Sequence, residues 1–212
     1  MTHTSPMPPW DAIDTVLLDM DGTLLDLHFD WHFWWEYLPR LYAEKNDLPL
    51  ERAQEIVREK ISAKQGTLEW YCTDYWSGVF DLPVAARKRD LKHMIRPHPG
   101  VEHFLERLRT LGKRLALVTN AHRDSLALKL EVTAIGRHFD AILCAHDYGL
   151  PKEDGRLWPA IRRDFDFEPA RTLLIDDNLR ALKSAADYGI GHLLLASHVS
   201  PHMPPVESDR FP

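Results

Sequence analysis

Five short runs along the chain are apolar throughout rather than alternating: residues 15–19 (TVLLD), 114–119 (RLALVT), 140–144 (DAILC), 172–176 (TLLID) and 192–196 (HLLLA). Continuous apolar runs of this length are the pattern of parallel strands covered on both faces. Helical spacing fills the intervals between the later runs, at 99–111, 123–134, 155–165 and 178–188, with Leu111-Gly112 and Tyr188-Gly189 as helix stops. Strand and helix in alternation predict an α/β fold, a doubly wound parallel sheet of Rossmann-like form. One interval breaks the rhythm. From about residue 27 to residue 96 the pattern is helical only, with predicted helices over 49–65, 67–80 and 83–95. Pro97 and Pro99 mark the return to the sheet. The expected organisation is therefore a discontinuous core, 1–26 and 97–212, with an inserted all-helical cap over 27–96.

Composition narrows the function classes. The chain has 212 residues, 44% hydrophobic and 27% charged, which suits one domain carrying an insertion. Seven of the fifteen prolines lie in the first nine or last twelve residues, so both ends are expected to be irregular tails. A formal net charge of −6 gives no electrostatic footprint for a nucleic acid polymer. No run of 18 apolar residues exists, so no membrane-spanning helix is expected. The start, MTHTSPMPPW, lacks the basic and apolar regions of a signal peptide, and two cysteines, Cys72 and Cys144, point to a reduced cytoplasmic setting. Both cysteines read as small buried residues. The twelve histidines form neither HxH nor HExxH, so zinc is not expected.

Ligands of an open parallel sheet bind beyond the carboxyl ends of its strands. The first strand ends in Asp19-Met20-Asp21-Gly22-Thr23, the second in Thr119-Asn120, and the fourth in Asp176-Asp177; Pro151-Lys152 follows the third. Four segments thus bring polar groups to one edge. Clustered carboxylates demand a cation or shift one another's protonation. A hard dication with oxygen ligands, Mg²⁺, answers that need. Lys152, the Thr119 hydroxyl and nearby backbone N–H groups complete a phosphate site.

The set DMDGT, Thr119-Asn120, Lys152 and Asp176-Asp177, in that order, resembles the four motifs of the haloacid dehalogenase superfamily, in a member with a helical cap inserted after the first motif. One departure is visible: the usual Lys-Pro pair stands here as Lys152-Glu153. The resemblance implies catalytic roles for Asp19, Asp21, Thr119 and Lys152. Asp19 is the nucleophile that forms an aspartyl-phosphate, and Asp21 the acid that protonates the leaving oxygen. Members that cleave carbon–halogen bonds lack an acid at the second position, so Asp21 favours phosphoryl transfer. Mg²⁺ would be held by Asp19, Asp21 through its backbone carbonyl, and Asp176, with Asp177 acting through water or orienting Lys152. Thr119, Asn120 and Lys152 would hold the phosphoryl group.

Substrate choice belongs to the cap. Eleven of the 21 aromatic residues, and five of the seven tryptophans, fall between His28 and Trp76. They either pack the cap helices or present a platform for a flat ligand. The stretches TVLLDMDGTLLDL, LEWYCTDYWS, VTNAH, LALKLE, GLPKEDGRLW and LIDD are similar to bacterial GMP/IMP 5′-nucleotidases of this superfamily. That likeness implies a small-molecule phosphomonoester, a purine nucleoside monophosphate, as substrate, with Trp70, Tyr71 and Trp76 as candidate base contacts and His122 and Lys129 as further residues near the ligand. The alternative is a phosphatase or phosphomutase for another small metabolite, such as a sugar phosphate or phosphoglycolate. The chain is expected to be a monomer or weak dimer.

Overall fold

A computed structural model describes residues 8–211. The first seven residues of the expected N-terminal tail lie outside the described part. Five strands form one all-parallel sheet: β1 (Thr15–Leu18), β2 (Arg114–Thr119), β3 (Ala141–Cys144), β4 (Thr172–Asp176) and β5 (His192–Leu195), in the order β3-β2-β1-β4-β5. The central β1 pairs with β2 through Leu18–Leu117 and with β4 through Leu18–Ile175. Side chains alternate between two cores. Val16, Leu18, Leu117 and Ile175 face one, while Leu17, Val118 and Leu174 face the other. This is why the middle positions of β1, β2 and β4 are apolar: both faces of these strands are roofed, and each buried aliphatic side chain contributes roughly 1.5–3 kcal/mol.

Helices α6 (Val101–Thr110), α7 (Arg123–Thr133), α8 (Ala145–Tyr148), α9 (Leu157–Asp164) and α10 (Leu179–Tyr188) cover the sheet. Trp158 of α9 is fully buried, and its indole N–H donates to Ser184 Oγ at 2.8 Å. β1 stops one residue short of the predicted run. Asp19 keeps the register, its N–H donating to Ile175 O at 3.0 Å, but its side chain stands at the sheet edge. The C-terminal segment is irregular as expected, yet it packs: Val199 and Ser200 are buried, and Val199 O accepts the Leu27 N–H.

The inserted segment is helical from His28 to Met94. It comprises α1 (His28–His32), a π-helical turn (Phe33–Tyr37), α2 (Leu38–Asn46), α3 (Leu50–Ser62), a 3₁₀ turn (Leu68–Tyr71), α4 (Thr73–Phe80), α5 (Val84–Asp90) and a last 3₁₀ turn (Lys92–Met94). The helix predicted over 67–80 is in fact two, because Cys72 adopts extended backbone and its sulfur caps α4, accepting the Tyr75 N–H at 3.4 Å. Pro39 has no N–H for the Trp35 carbonyl four residues earlier, so the α pattern is interrupted where the π turn lies. The two connecting chains run side by side: Leu25 bridges Pro97, and the Asp26 N–H donates to Arg96 O at 2.9 Å.

Trp76 is 1% exposed and lies in the cap interior, stacked on Phe80 and edge-on to Trp34 and Tyr75, with its indole N–H donating to Trp70 O. It therefore does not face a ligand, contrary to the sequence expectation. On α4 it points toward the packed face that its neighbours Thr73 and Phe80 also occupy.

Candidate active site

The loop leaving β1 turns on Gly22, whose φ of +85° is left-handed. A side chain there would also collide, since a Cβ would lie 2.6 Å from Asp177 Oδ2. The turn thus brings the β1 loop against the end of β4. Asp19, Asp176 and Asp177 each place a carboxylate oxygen within 4.8 Å of the others. The Lys152 ammonium bridges two of them, donating to Asp19 Oδ1 at 2.5 Å and Asp176 Oδ2 at 2.7 Å. Lys152 is itself 2% exposed. Burial disfavours its charge, but the Asp176 and Asp19 carboxylates overrule burial and keep it protonated. Asp177 does not orient Lys152, as one sequence reading had it. Lys152 is set instead by Asp19, by Asp176 and by Asn120 Oδ1, which accepts its backbone N–H at 2.9 Å.

The carboxylates are frustrated as they stand. Burial, together with the Asp176 charge, pushes Asp19 up to about 6 against the pull of Lys152. Burial and the neighbouring Asp19 and Asp176 charges push Asp177 well above the usual carboxylate range. Asp19 Oδ2 is buried without a hydrogen-bond partner. An orphaned carboxylate oxygen among three converging acids is the donor set a hard dication takes.

Thr119 Oγ1 accepts the Ala121 N–H at 3.0 Å, holding the turn after β2. The Asn120 side chain is committed, its Nδ2 donating to Glu153 Oε2 at 2.9 Å. Glu153, the residue standing where the family's proline is usual, is a knot: it also accepts from Asn178 Nδ2 and from the Tyr71 hydroxyl, each at 2.8 Å. One carboxylate thereby ties three core loops to the cap. The departure from Lys-Pro was the sequence signal for that role.

A second charged chain was only partly anticipated from the sequence, which named Asp21 and Lys129 but not Asp30 or Lys88. Lys129 of α7, 1% exposed, donates to Asp21 Oδ1 and to Asp30 Oδ2, both at 2.6 Å. Lys88 of α5 donates to Asp30 Oδ1 at 2.6 Å. The line Asp21–Lys129–Asp30–Lys88 crosses from core to cap. Burial raises Asp21 to about 6 despite Lys129, with the Asp30 and Asp19 charges adding to the rise. Burial alone would raise Asp30, but the Lys129 and Lys88 ammoniums hold it at about 2. The available signal was a single acid in the aromatic run HFDWHFWW.

Apart from the fully buried Asp176, these charged groups line one cavity of about 380 Å³ between cap and core, within the range of small-ligand sites. Asp19, Asp21, Lys152 and Asp177 form its floor. Trp70 and Tyr71 line it, as do Trp31, Trp34 and Trp35 from α1 and the π turn. His122 reaches it too, its Nδ1 paired with Thr73 Oγ1 of the cap at 2.7 Å. The structure thus brings together every sequence-predicted site residue except Trp76, and it adds Asp30, Lys88 and Glu153.

Comparisons with known proteins agree with this geometry. A family model described as haloacid dehalogenase-like hydrolase matches residues 13–189. The GMP/IMP nucleotidase YrfG of Escherichia coli (strain K12) is 43% identical over 185 residues, spanning 87% of this chain and 83% of that protein. A phosphoglycolate phosphatase of Nitrosospira multiformis is 28% identical over 192 residues, spanning 87% and 82%. Among solved structures, the HAD phosphatase from Thermococcus onnurineus shares the fold with a TM-score of 0.76 at 23% identity, covering 86% of each chain. The L-2-haloacid dehalogenase from Xanthobacter autotrophicus shares it at 0.61 and 17%, covering 89% of this chain and 79% of that one. With four motif segments converging on one sheet edge and a family match across most of its length, the chain belongs to the haloacid dehalogenase-like hydrolases.

Proposed function

We propose that the protein is a Mg²⁺-dependent phosphomonoester hydrolase, a 5′-nucleotidase acting on purine nucleoside monophosphates such as GMP and IMP. The observation that carries this is the pairing of an acid, Asp21, with a nucleophile, Asp19, on the floor of a cavity walled by tryptophans. The 43% identity to a GMP/IMP nucleotidase supports the substrate class. Asp19, Asp176, Asp177 and the Asp21 backbone carbonyl would hold the ion. When bound, Mg²⁺ neutralises the clustered carboxylates and withdraws charge from the phosphoryl oxygens.

In the first half-reaction an Asp19 carboxylate oxygen forms a bond to phosphorus, and the bond from phosphorus to the ribose oxygen breaks. Asp21 gives its proton to that oxygen, so the nucleoside leaves neutral. A carboxyl held near 6 by burial is suited to this task. In the second half-reaction Asp21 takes a proton from water as the water oxygen bonds to phosphorus, and the Asp19–phosphorus bond breaks to release phosphate. The buried Lys152 ammonium and the Thr119 turn fix the phosphoryl group in place, and positioning with electrostatics supplies most of the rate in such chemistry. Lys129 acts through Asp21, which it orients. Both cysteines are free, and no helix among the described residues is long and apolar enough to cross a membrane.

Phosphate release should be measured with Mg²⁺ for GMP, IMP, AMP, UMP, ribose 5-phosphate and phosphoglycolate. The expected result is preference for GMP and IMP, lost in Asp19→Asn. Turnover confined to phosphoglycolate or sugar phosphates would overturn the nucleotide assignment, and undiminished turnover in Asp19→Asn the nucleophile.

A further inference from the structure

Beside the cavity, His122 meets two side chains that take no part in the machinery above. Cys72 comes from the cap, at the start of α4; His122 precedes α7 and His146 lies in α8, both in the core. One ligand atom from each lies within 4.8 Å of the other two. Three points no farther apart than this fit in a circle of radius 4.8/√3, about 2.8 Å. A single point therefore stands within about 2.8 Å of all three, against bond lengths of ~2.3 Å for zinc–sulfur and ~2.0 Å for zinc–nitrogen. Side-chain rotations of less than 1 Å or so would close the difference.

The surroundings prepare these groups as ligands. The His122 and His146 rings lie edge to face, 4.9 Å between centroids. Each histidine has a ring nitrogen oriented by a polar partner, as metal-binding histidines usually do: His146 Nε2 donates to Asn120 O at 3.2 Å, and His122 Nδ1 meets Thr73 Oγ1 at 2.7 Å. The Asp124 carboxylate at 3.5 Å and Asp74 at 3.6 Å from the His122 ring bias the place toward a cation. Cys72 is free and half-buried, and an outer groove lined by Cys72 and His146 gives access from solvent.

We propose that Cys72, His122 and His146 form a binding site for a soft divalent transition ion of the Zn²⁺ class, which fastens the cap to the core. One thiolate and two imidazoles select such an ion over Mg²⁺, and three protein ligands leave a fourth position to water. Because the ligands come from both lobes, the ion opposes cap opening and so slows substrate entry and product exit.

Co²⁺ is the probe, added to full-length protein saturated with Mg²⁺ so that the carboxylate site is filled. The expected result is a thiolate-to-cobalt charge-transfer band, displaced by one equivalent of Zn²⁺, absent in Cys72→Ser and weakened at least tenfold in His146→Gln. Serine retains the helix cap, so Cys72→Ser keeps its Mg²⁺-supported turnover but loses inhibition by Zn²⁺. On unaltered protein, Zn²⁺ should protect Cys72 from a thiol reagent; Cys144 is buried and does not compete. No charge-transfer band, or equal thiol reactivity with and without Zn²⁺, overturns the site. Binding and thiol protection are read without turnover, so this outcome is independent of whether the nucleotidase assignment holds.

Discussion

Asp30 sits between two buried ammoniums, Lys129 and Lys88, at 2.6 Å from each. Replacing it by asparagine keeps the shape and removes the only negative charge that Lys88 contacts among the described residues. Removing one partner of a buried pair typically costs ~3–5 kcal/mol, because the other charge stays buried without compensation. A chain of this size loses roughly 2–4 °C in Tm per kcal/mol, so Asp30→Asn should melt roughly 6–20 °C lower. The second variant decides the cause. Lys88 lies 5.3 Å from the centroids of Phe29, Phe33 and Trp34, so methionine there extends an apolar contact. The pair Asp30→Asn with Lys88→Met should regain most of the loss, since apolar replacement of a buried ion pair is often neutral or better. The pH dependence has a definite sign. Asp30 is held at about 2 in the folded protein against 3.8 for the free group. Its contribution, on the order of 2 kcal/mol, is complete above pH 4 or so and disappears as pH falls through about 2. Thermal and urea unfolding of parent, single and double variants, followed by circular dichroism from pH 7 to pH 2, checks the reasoning. A loss below ~1 kcal/mol in Asp30→Asn, or a double variant no more stable than the single, would refute it.

Two further substitutions separate packing from recognition. Trp70→Ala should raise KM for GMP roughly 5- to 150-fold, the equivalent of the ~1–3 kcal/mol of a base-stacking contact, while sparing ribose 5-phosphate; equal effects on both substrates would remove Trp70 from base contact. Trp76→Ala should instead destabilise the fold by ~3–5 kcal/mol, read by unfolding, as expected for a buried indole. Gly22→Ala forces a Cβ onto Asp177 at a left-handed φ, and should lower kcat at least tenfold in the phosphate-release assay; an unchanged kcat would show that the β1 loop tolerates displacement.

The sheet was legible in the sequence because a parallel strand roofed on both faces is apolar through its middle, and all five runs are, although the edge strands β3 and β5 are less covered than β1, β2 and β4. The edge that carries the site was legible for a related reason: parallel strands point their carboxyl ends to one side, so Asp19, Thr119 and Asp176 were placed by strand direction, whereas Lys152 comes from the loop beyond α8. Helical spacing also marked the segment inserted between β1 and β2 as helical. It did not say which cap face looks at the ligand. Pro39 and the π turn set Trp34 and Trp35 on the cavity, while α4 turns Trp76 inward, and neither outcome follows from counting residues. The same limit applies to charges. Asp30 with Lys129, and Glu153 with Tyr71, are pairs between lobes, Asp30 with Lys88 joins two separate cap helices, and the histidines showed no metal-binding spacing along the chain. Periodicity, turns and strand polarity are local or directional properties that a sequence carries by itself. Which distant side chains share a few ångström depends on how the cap sits on the core, and that was decided only by tertiary packing.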